Sequence, residues 1–302
     1  MSVVRITQTM LSKQSFNGLQ TSMNRVAKVQ EQLTTGRLIN RPSDDPTGAS
    51  SAMRIRSNVA LREQYQRNAT DAMGWLSQAD STLSSMGDQV RRAHEISLQG
   101  ANSGSMGPDA LRALATEVDQ IREGMIDAAN TRYLDRPVFG GVTNTGIAYD
   151  AAGKVNDPTA VTPTGVLRTV GDGAQVRVDV DARATFGDDS ANDSVFDHLA
   201  DLSAALKAGD QVAIEASIAK LDADGKRITT MQATVGARTN SVENAQGIAA
   251  DGELTLRTAL SEIENVDLAK ATVDLNLQQV AYQAALGATA RVIQPSLLDF
   301  LR

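Results

Sequence analysis

The sequence predicts a mainly α fold: a long coiled-coil-like helical bundle formed by the N- and C-terminal halves, with a small inserted β-containing domain. Three observations predict it. Apolar residues recur at alternating three- and four-residue steps over long stretches of the 302 residues. That period is lost between residues 138 and 191, where Gly, Thr, Asp and Pro gather. Aromatic residues make up only 3% of the chain, which leaves Ala, Leu, Val and Ile at heptad spacing to do the burying. The expected division is residues 1–137 and 192–302 as the two halves of a helical rod, with 138–191 as an outer domain.

The first helix is expected over residues 8–35. Phe16, Leu19, Met23, Val26 and Leu33 fall on one stripe of it, and Gly36 is placed to cap its C-terminus in the left-handed conformation. A turn-rich connector, GRLINRPSDDPTGAS, follows. In it Asp45 is expected to cap the next helix with Pro46 at the first helical position, and Arg37 or Arg41 to balance Asp44 and Asp45. The second helix should cover residues 49–97. Ala69, Ala72, Leu76, Ala79, Leu83, Met86, Val90 and Ala93 alternate three and four steps without a break. Pro108 and Asp109 open a third helix carrying Leu111, Leu114, Val118, Ile121, Met125 and Ala128.

Beyond Arg136-Pro137 the helical period stops. Gly171-Asp172-Gly173 and the alternating Val176, Val178 and Val180 read as a turn entering a half-buried strand. This segment is expected to be an exposed knob that the bundle can close without. Helices resume near Asp193, and Leu221, Ile228, Val235 and Val242 step by sevens. A terminal helix is expected from about Gly252 to Pro295, with Val273, Leu277, Val280 and Ala284 as its seam. An isolated amphipathic helix exposes its apolar stripe to water, so both terminal seams require partners. A chain with two such ends is suited to assemble with copies of itself or with close relatives.

Chemistry is sparse. The chain has no cysteine, which excludes disulfides, thiolate metal sites and cysteine nucleophiles. A net charge of −7 argues against nucleic acid as the main partner. Neither His94 nor His198 has a partner at ligand spacing. Asp222-Ala223-Asp224-Gly225 is a fragment of a calcium loop, but it lacks the remaining ligands and sits in a helical seam. Gly171-Asp172-Gly173 lacks the third glycine of a dinucleotide loop. No catalytic, cofactor or metal site is therefore expected, and the chain is read as no enzyme. Asn68-Ala69-Thr70 matches a glycosylation sequon by chance, because Ala69 lies on the seam. No stretch approaches the ~20 apolar residues that span a bilayer, so no membrane insertion is expected. The opening MSVVRITQTMLSKQ does not read as a signal peptide, so no cleavable signal is expected.

Once the connector is set beside the terminal seams, the chain resembles the flagellin family of axial flagellar proteins. EQLTTGRLINRPSDDPTGAS is similar to the family's N-terminal signature, and NTRYLDRPVFGG resembles its exit from the third helix. VGARTNSVENAQ, with Gly236, Arg238, Asn240 and Glu243, resembles the second-half signature, and ENVDLAKATVDLNLQQVAYQAAL the C-terminal helix. Arg41-Pro42-Ser43-Asp44-Asp45-Pro46 and the tail Pro295-Ser296-Leu297-Leu298-Asp299-Phe300-Leu301 resemble a junction-forming member more than a bulk filament subunit. Asp135-Arg136-Pro137 departs from the pattern, standing where relatives often have Gly-Arg-Tyr. The resemblance implies an extracellular axial subunit, exported without a cleaved signal. It also implies as partners copies of itself, hook-side protein, flagellin and an export chaperone. Assembly would fall to the two seams together with Arg41, Asp44, Asp45, Leu298 and Phe300.

Overall fold

The structure is a computed structural model that describes residues 8–102, 107–142, 146–156, 165–188 and 191–293. Among these residues helices dominate, with only two- to five-residue strands in three antiparallel pairs. The chain divides into two compact units. One comprises Met1–Ala60 with Glu253–Arg302, and the other Leu61–Gly252. Two long helices, α2 (Pro46–Ala101) and α6 (Gln211–Glu264), contribute residues to each.

The larger unit is built on the predicted stripe of α2. Ala69, Ala72, Leu76, Ala79, Leu83, Met86, Val90 and Ala93 are all buried. The small alanines alternating with Leu and Met let neighbouring helices approach while larger side chains fill the gaps. From α6 the strict seven-residue series Leu221, Ile228, Val235 and Val242 joins the same core. Helix α3 (Pro108–Ala129) opens on Pro108, whose missing N–H costs nothing at a helix start. Its Leu111, Ala115, Val118 and Met125 are buried, and it packs against α5 (Val195–Ala208). Ser194 starts α5 with a capping box in which Asp197 reciprocates, and Gly209 ends it at φ 68°.

The segment between α3 and α5 is not an exposed knob. Val138, Phe139, Tyr149, Val170, Val178, Val180 and Phe186 are buried in the same core as the α2 stripe. Four rings, Phe139, Tyr149, Phe186 and Phe196, lie 5.1–5.7 Å apart at tilted or edge angles, so scarce aromatics are concentrated here. Polar ties hold the loops to the helices. Asn130 accepts the Ala148 and Tyr149 N–H groups and donates to Tyr149 O, while Arg122 donates to Phe196 O and Ala152 O. Buried Asp179 takes two bonds from the Arg177 guanidinium and a third from the Val166 N–H. The expected turn at Gly171-Asp172-Gly173 joins β3 (Leu167–Gly171) to β4 (Ala174–Arg177), with Gly173 at φ 70°.

A second hairpin pairs β1 (Arg132–Tyr133) with β2 (Arg136–Pro137) across a two-residue loop, Leu134-Asp135. Both loop residues have positive φ, 47° and 62°. That is the tight-turn geometry usually filled by Asn-Gly, because a Cβ there crowds the carbonyl at about 1–2 kcal/mol per residue.

In the smaller unit α1 (Gln8–Thr35) packs against α7 (Leu268–Ile293). The limits of α1 and the left-handed Gly36, φ 70°, are as the sequence predicts. No helix begins at Gly252. α6 runs through it to Glu264, and the break falls at residues 265–267, where Asp267 accepts the Ala269 and Lys270 N–H groups to cap α7.

Candidate assembly interface

The connector and the break before α7 clasp each other. Leu38 N–H donates to Glu264 O at 2.7 Å, Val266 N–H donates to Gly36 O at 3.0 Å, and Arg37 bridges Asn265 in antiparallel fashion. Nearby, Arg56 forms a 2.6 Å ion pair with the buried Glu264 carboxylate. Backbone bonds at their common end thus fix the mutual register of the terminal helices. Asp45 Oδ1 accepts the Thr47 and Gly48 N–H groups, which makes it the cap of α2. A Cβ on Gly48 would stand 2.6 Å from Ile39 Cδ1, so a larger residue there would push the Ile39 and Asp45 side chains aside.

Asp44 and Arg41 have other partners than the sequence suggested. Lys28 of α1 pairs with Asp44 at 3.0 Å, while Asp44 Oδ2 accepts the backbone N–H groups of Asn40 and Arg41. The hydrogen bond from Lys28, then that from Arg41, hold the Asp44 carboxyl below its ordinary value. Arg41 turns its guanidinium to Glu31 at 3.2 Å instead.

The N-terminal seam splits between two environments. Leu19, Val26 and Leu33 are half-buried in the α1–α7 pair, but Phe16 and Met23 are 64% and 59% exposed. On α7 the stripe named from the sequence points outward: Val273, Leu277 and Val280 are 67%, 63% and 64% exposed, and Ala284 is exposed too. Ala271 is buried, and Asp274, Leu275, Gln278, Tyr282, Ala285 and Thr289 are half-buried. Periodicity revealed a stripe but not which of two neighbouring stripes would meet α1. These rows of exposed apolar side chains on the paired helices are the candidate assembly surface. Leu298 and Phe300 lie outside the described residues.

Other singled-out residues are engaged within the larger unit. His198 is buried with Nδ1 2.8 Å from Asp224 and Nε2 3.1 Å from Asp193, a pairing across α5 and α6 that spacing could not show. Asp222 pairs with Lys226, and Asp224 with Arg227, both along α6. Asn68 of the sequon donates to Thr169 O and accepts from Gln64. His94 lines an open groove between α2 and α6 of about 640 Å³.

Residues 6–142 match the bacterial flagellin N-terminal helical region, and residues 218–301 match the C-terminal helical region of the same family. The chain belongs to the bacterial flagellin family. It is similar to flagellar hook-associated protein 3 of Salmonella typhimurium, 26% identical over 301 residues that cover 93% of this chain and 95% of the relative. Flagellin FlaB2 of Treponema pallidum is also 26% identical, covering 92% of each chain. Among solved structures, a putative flagellar hook-associated protein from Vibrio parahaemolyticus superposes with a TM-score of 0.66 at 20% identity, covering 74% of this chain and 100% of that one. Bacillus cereus FlgL gives a TM-score of 0.60 at 24% identity, covering 69% and 99%. Those likenesses establish the flagellin-type fold. As a flagellin-family member the chain is a structural component of the bacterial flagellum, and the family is structural and not known as an enzyme. No helix among the described residues is long and apolar enough to cross a membrane.

Proposed function

We propose that this flagellin-family chain is a junction subunit of the flagellar axis, joining hook-side proteins to the filament through its terminal helices. The observation that carries the reading is the pair of exposed apolar stripes, Phe16 and Met23 on α1 and Val273, Leu277, Val280 and Ala284 on α7. They remain uncovered after α1 and α7 have packed together, so neighbouring subunits are the natural cover. Arg41, Asp44 and Asp45 shape the connector beside them, and the tail residues Leu298 and Phe300 extend the apolar character of the C-terminal end. The form of the connector, Arg41-Pro42-Ser43-Asp44-Asp45-Pro46, and the similarity to hook-associated protein 3 favour a junction role. Export through the flagellar channel without a cleaved signal, and an export chaperone that shields the seams beforehand, complete this reading. The residue division 1–137, 138–191 and 192–302 belongs to it as a description of chain halves around an insert.

Equal identity to a Treponema flagellin supports a second reading, a bulk filament subunit. Immunogold labelling of isolated flagella separates the two. The junction reading expects a short band at the filament base; label along the whole filament supports the second reading and overturns the first.

A further inference from the structure

We propose that the β1–β2 hairpin tip of one copy docks in the cleft between the β3–β4 hairpin and α6 of a neighbouring copy. This contact rests on the reading of the chain as an axial subunit that assembles with its copies. Leu134 at the tip is 73% exposed, a large apolar side chain held where the backbone disfavours any Cβ. The adjacent Asp135, exposed and also at positive φ, has no ion-pair partner among the described residues. A rigid two-residue loop that accepts strain to present one apolar and one acidic side chain has the form of a docking element.

The cleft offers the complement. Its volume is about 470 Å³, with Val170, Val176, Ala237 and Ala245 supplying apolar surface and Arg177 and Arg238 the charge. Asp179 takes the Arg177 guanidinium in a two-point pair, whereas among the described residues Arg238 makes a single hydrogen bond, to the Asp179 carbonyl. Burial, then the neighbouring Arg177 charge, work against the Arg238 cation and lower its pKa from the usual arginine value. An incoming carboxylate would offset the Arg177 repulsion and give the Arg238 cation a charged partner. Leu134 in the apolar part and Asp135 beside Arg238 satisfy the two halves of the cleft together. In an axial assembly the contact runs head to tail, the tip of each copy meeting the cleft of the next, and repeating it builds a ring or an open helix rather than a closed dimer.

The absence of cysteine from the chain makes the test direct. Leu134→Cys and Ala237→Cys chains, both changed at exposed positions, are co-expressed in a flagellated strain lacking its own copy, and isolated flagella are oxidised. A disulfide-linked pair is expected well above that from Leu134→Cys with Val212→Cys, a 78% exposed position outside the cleft. Adding Asp135→Arg to the Leu134→Cys chain is expected to cut the yield roughly fivefold. Yields no higher than the control, with both chains present in the flagella, would overturn the contact and leave the axial reading intact. An unchanged yield with Asp135→Arg would overturn the charge pairing. Absence of the unsubstituted chain from the flagella would overturn the axial reading, and this contact with it.

Discussion

Replacing Val273, Leu277 and Val280 together by Ser should separate folding from assembly. All three are about two-thirds exposed beside α1, so little intramolecular burial is lost. The cost to the free subunit is one of helix propensity, about 0.5 kcal/mol in total. Burying a Val or Leu side chain completely contributes about 1.5–3 kcal/mol, and roughly two-thirds of that is still available when the stripe is covered. Three side chains therefore contribute ~3–6 kcal/mol to each subunit's place in the axis, a factor of about 10² to 10⁴ in affinity. Circular dichroism and thermal melting of the purified monomer should be nearly unchanged, while the amount recovered in isolated flagella should fall to background. If the melt drops by several kcal/mol, α7 uses this stripe internally. If incorporation survives, the stripe is not the assembly surface.

Three further outcomes follow from the geometry. Phe186→Ala removes a buried ring that touches three others and should destabilise the larger unit by about 3–5 kcal/mol in urea titration; for the same reason, deleting most of residues 142–190 should abolish cooperative unfolding. Asp45→Ala should cost about 1 kcal/mol if capping is its whole role; a fall in assembly beyond that loss would show that the connector also meets a neighbour. Asp44, Asp119 and Asp197 all have pKa values lowered from 3.8. In Asp44 the Lys28 hydrogen bond leads. In Asp119 and Asp197 burial pushes upward but is outweighed by Lys207 with Ser203, and by Ser194 with Lys154. Carboxylates depressed in the folded state stabilise it above their unfolded pKa and lose that contribution as pH falls through the folded one. Stability from these three groups should hold from pH 7 to about 5 and decline below about 4; a decline already complete at pH 5 would refute the assignment.

Much of the helical frame was legible because it is written in local chemistry. Gly36 supplies a left-handed cap, Asp45-Pro46 a cap and first turn, and Pro108 a helix start, and the structure uses each in that role. The break at residues 265–267 was not legible. Asn265-Val266-Asp267 has neither Gly nor Pro, and it is fixed by partners far along the chain: the Val266 N–H donates to Gly36 O, and Asn265 bridges Arg37. Gly252, the expected start, sits inside α6, where a glycine costs only about 1 kcal/mol against alanine. The core under the short strands was hidden for another reason. Two-residue strands carry no period, and Phe139, Tyr149, Phe186 and Phe196 meet only in three dimensions. For the assembly surface, the stripes were visible in sequence but their direction was not, since α1 could have covered either face of α7.

Amide hydrogen exchange on the free subunit and on the same chain in isolated flagella tests the central claim most directly. Residues around Phe16–Met23 and Val273–Ala284 lie on a two-helix pair with apolar stripes open to water, whereas Leu76–Val90 lie in a closed core. The account predicts fast exchange in both terminal helices of the free subunit, strong protection there after assembly, and no change from Leu76 to Val90. Terminal helices protected equally in both states would contradict it.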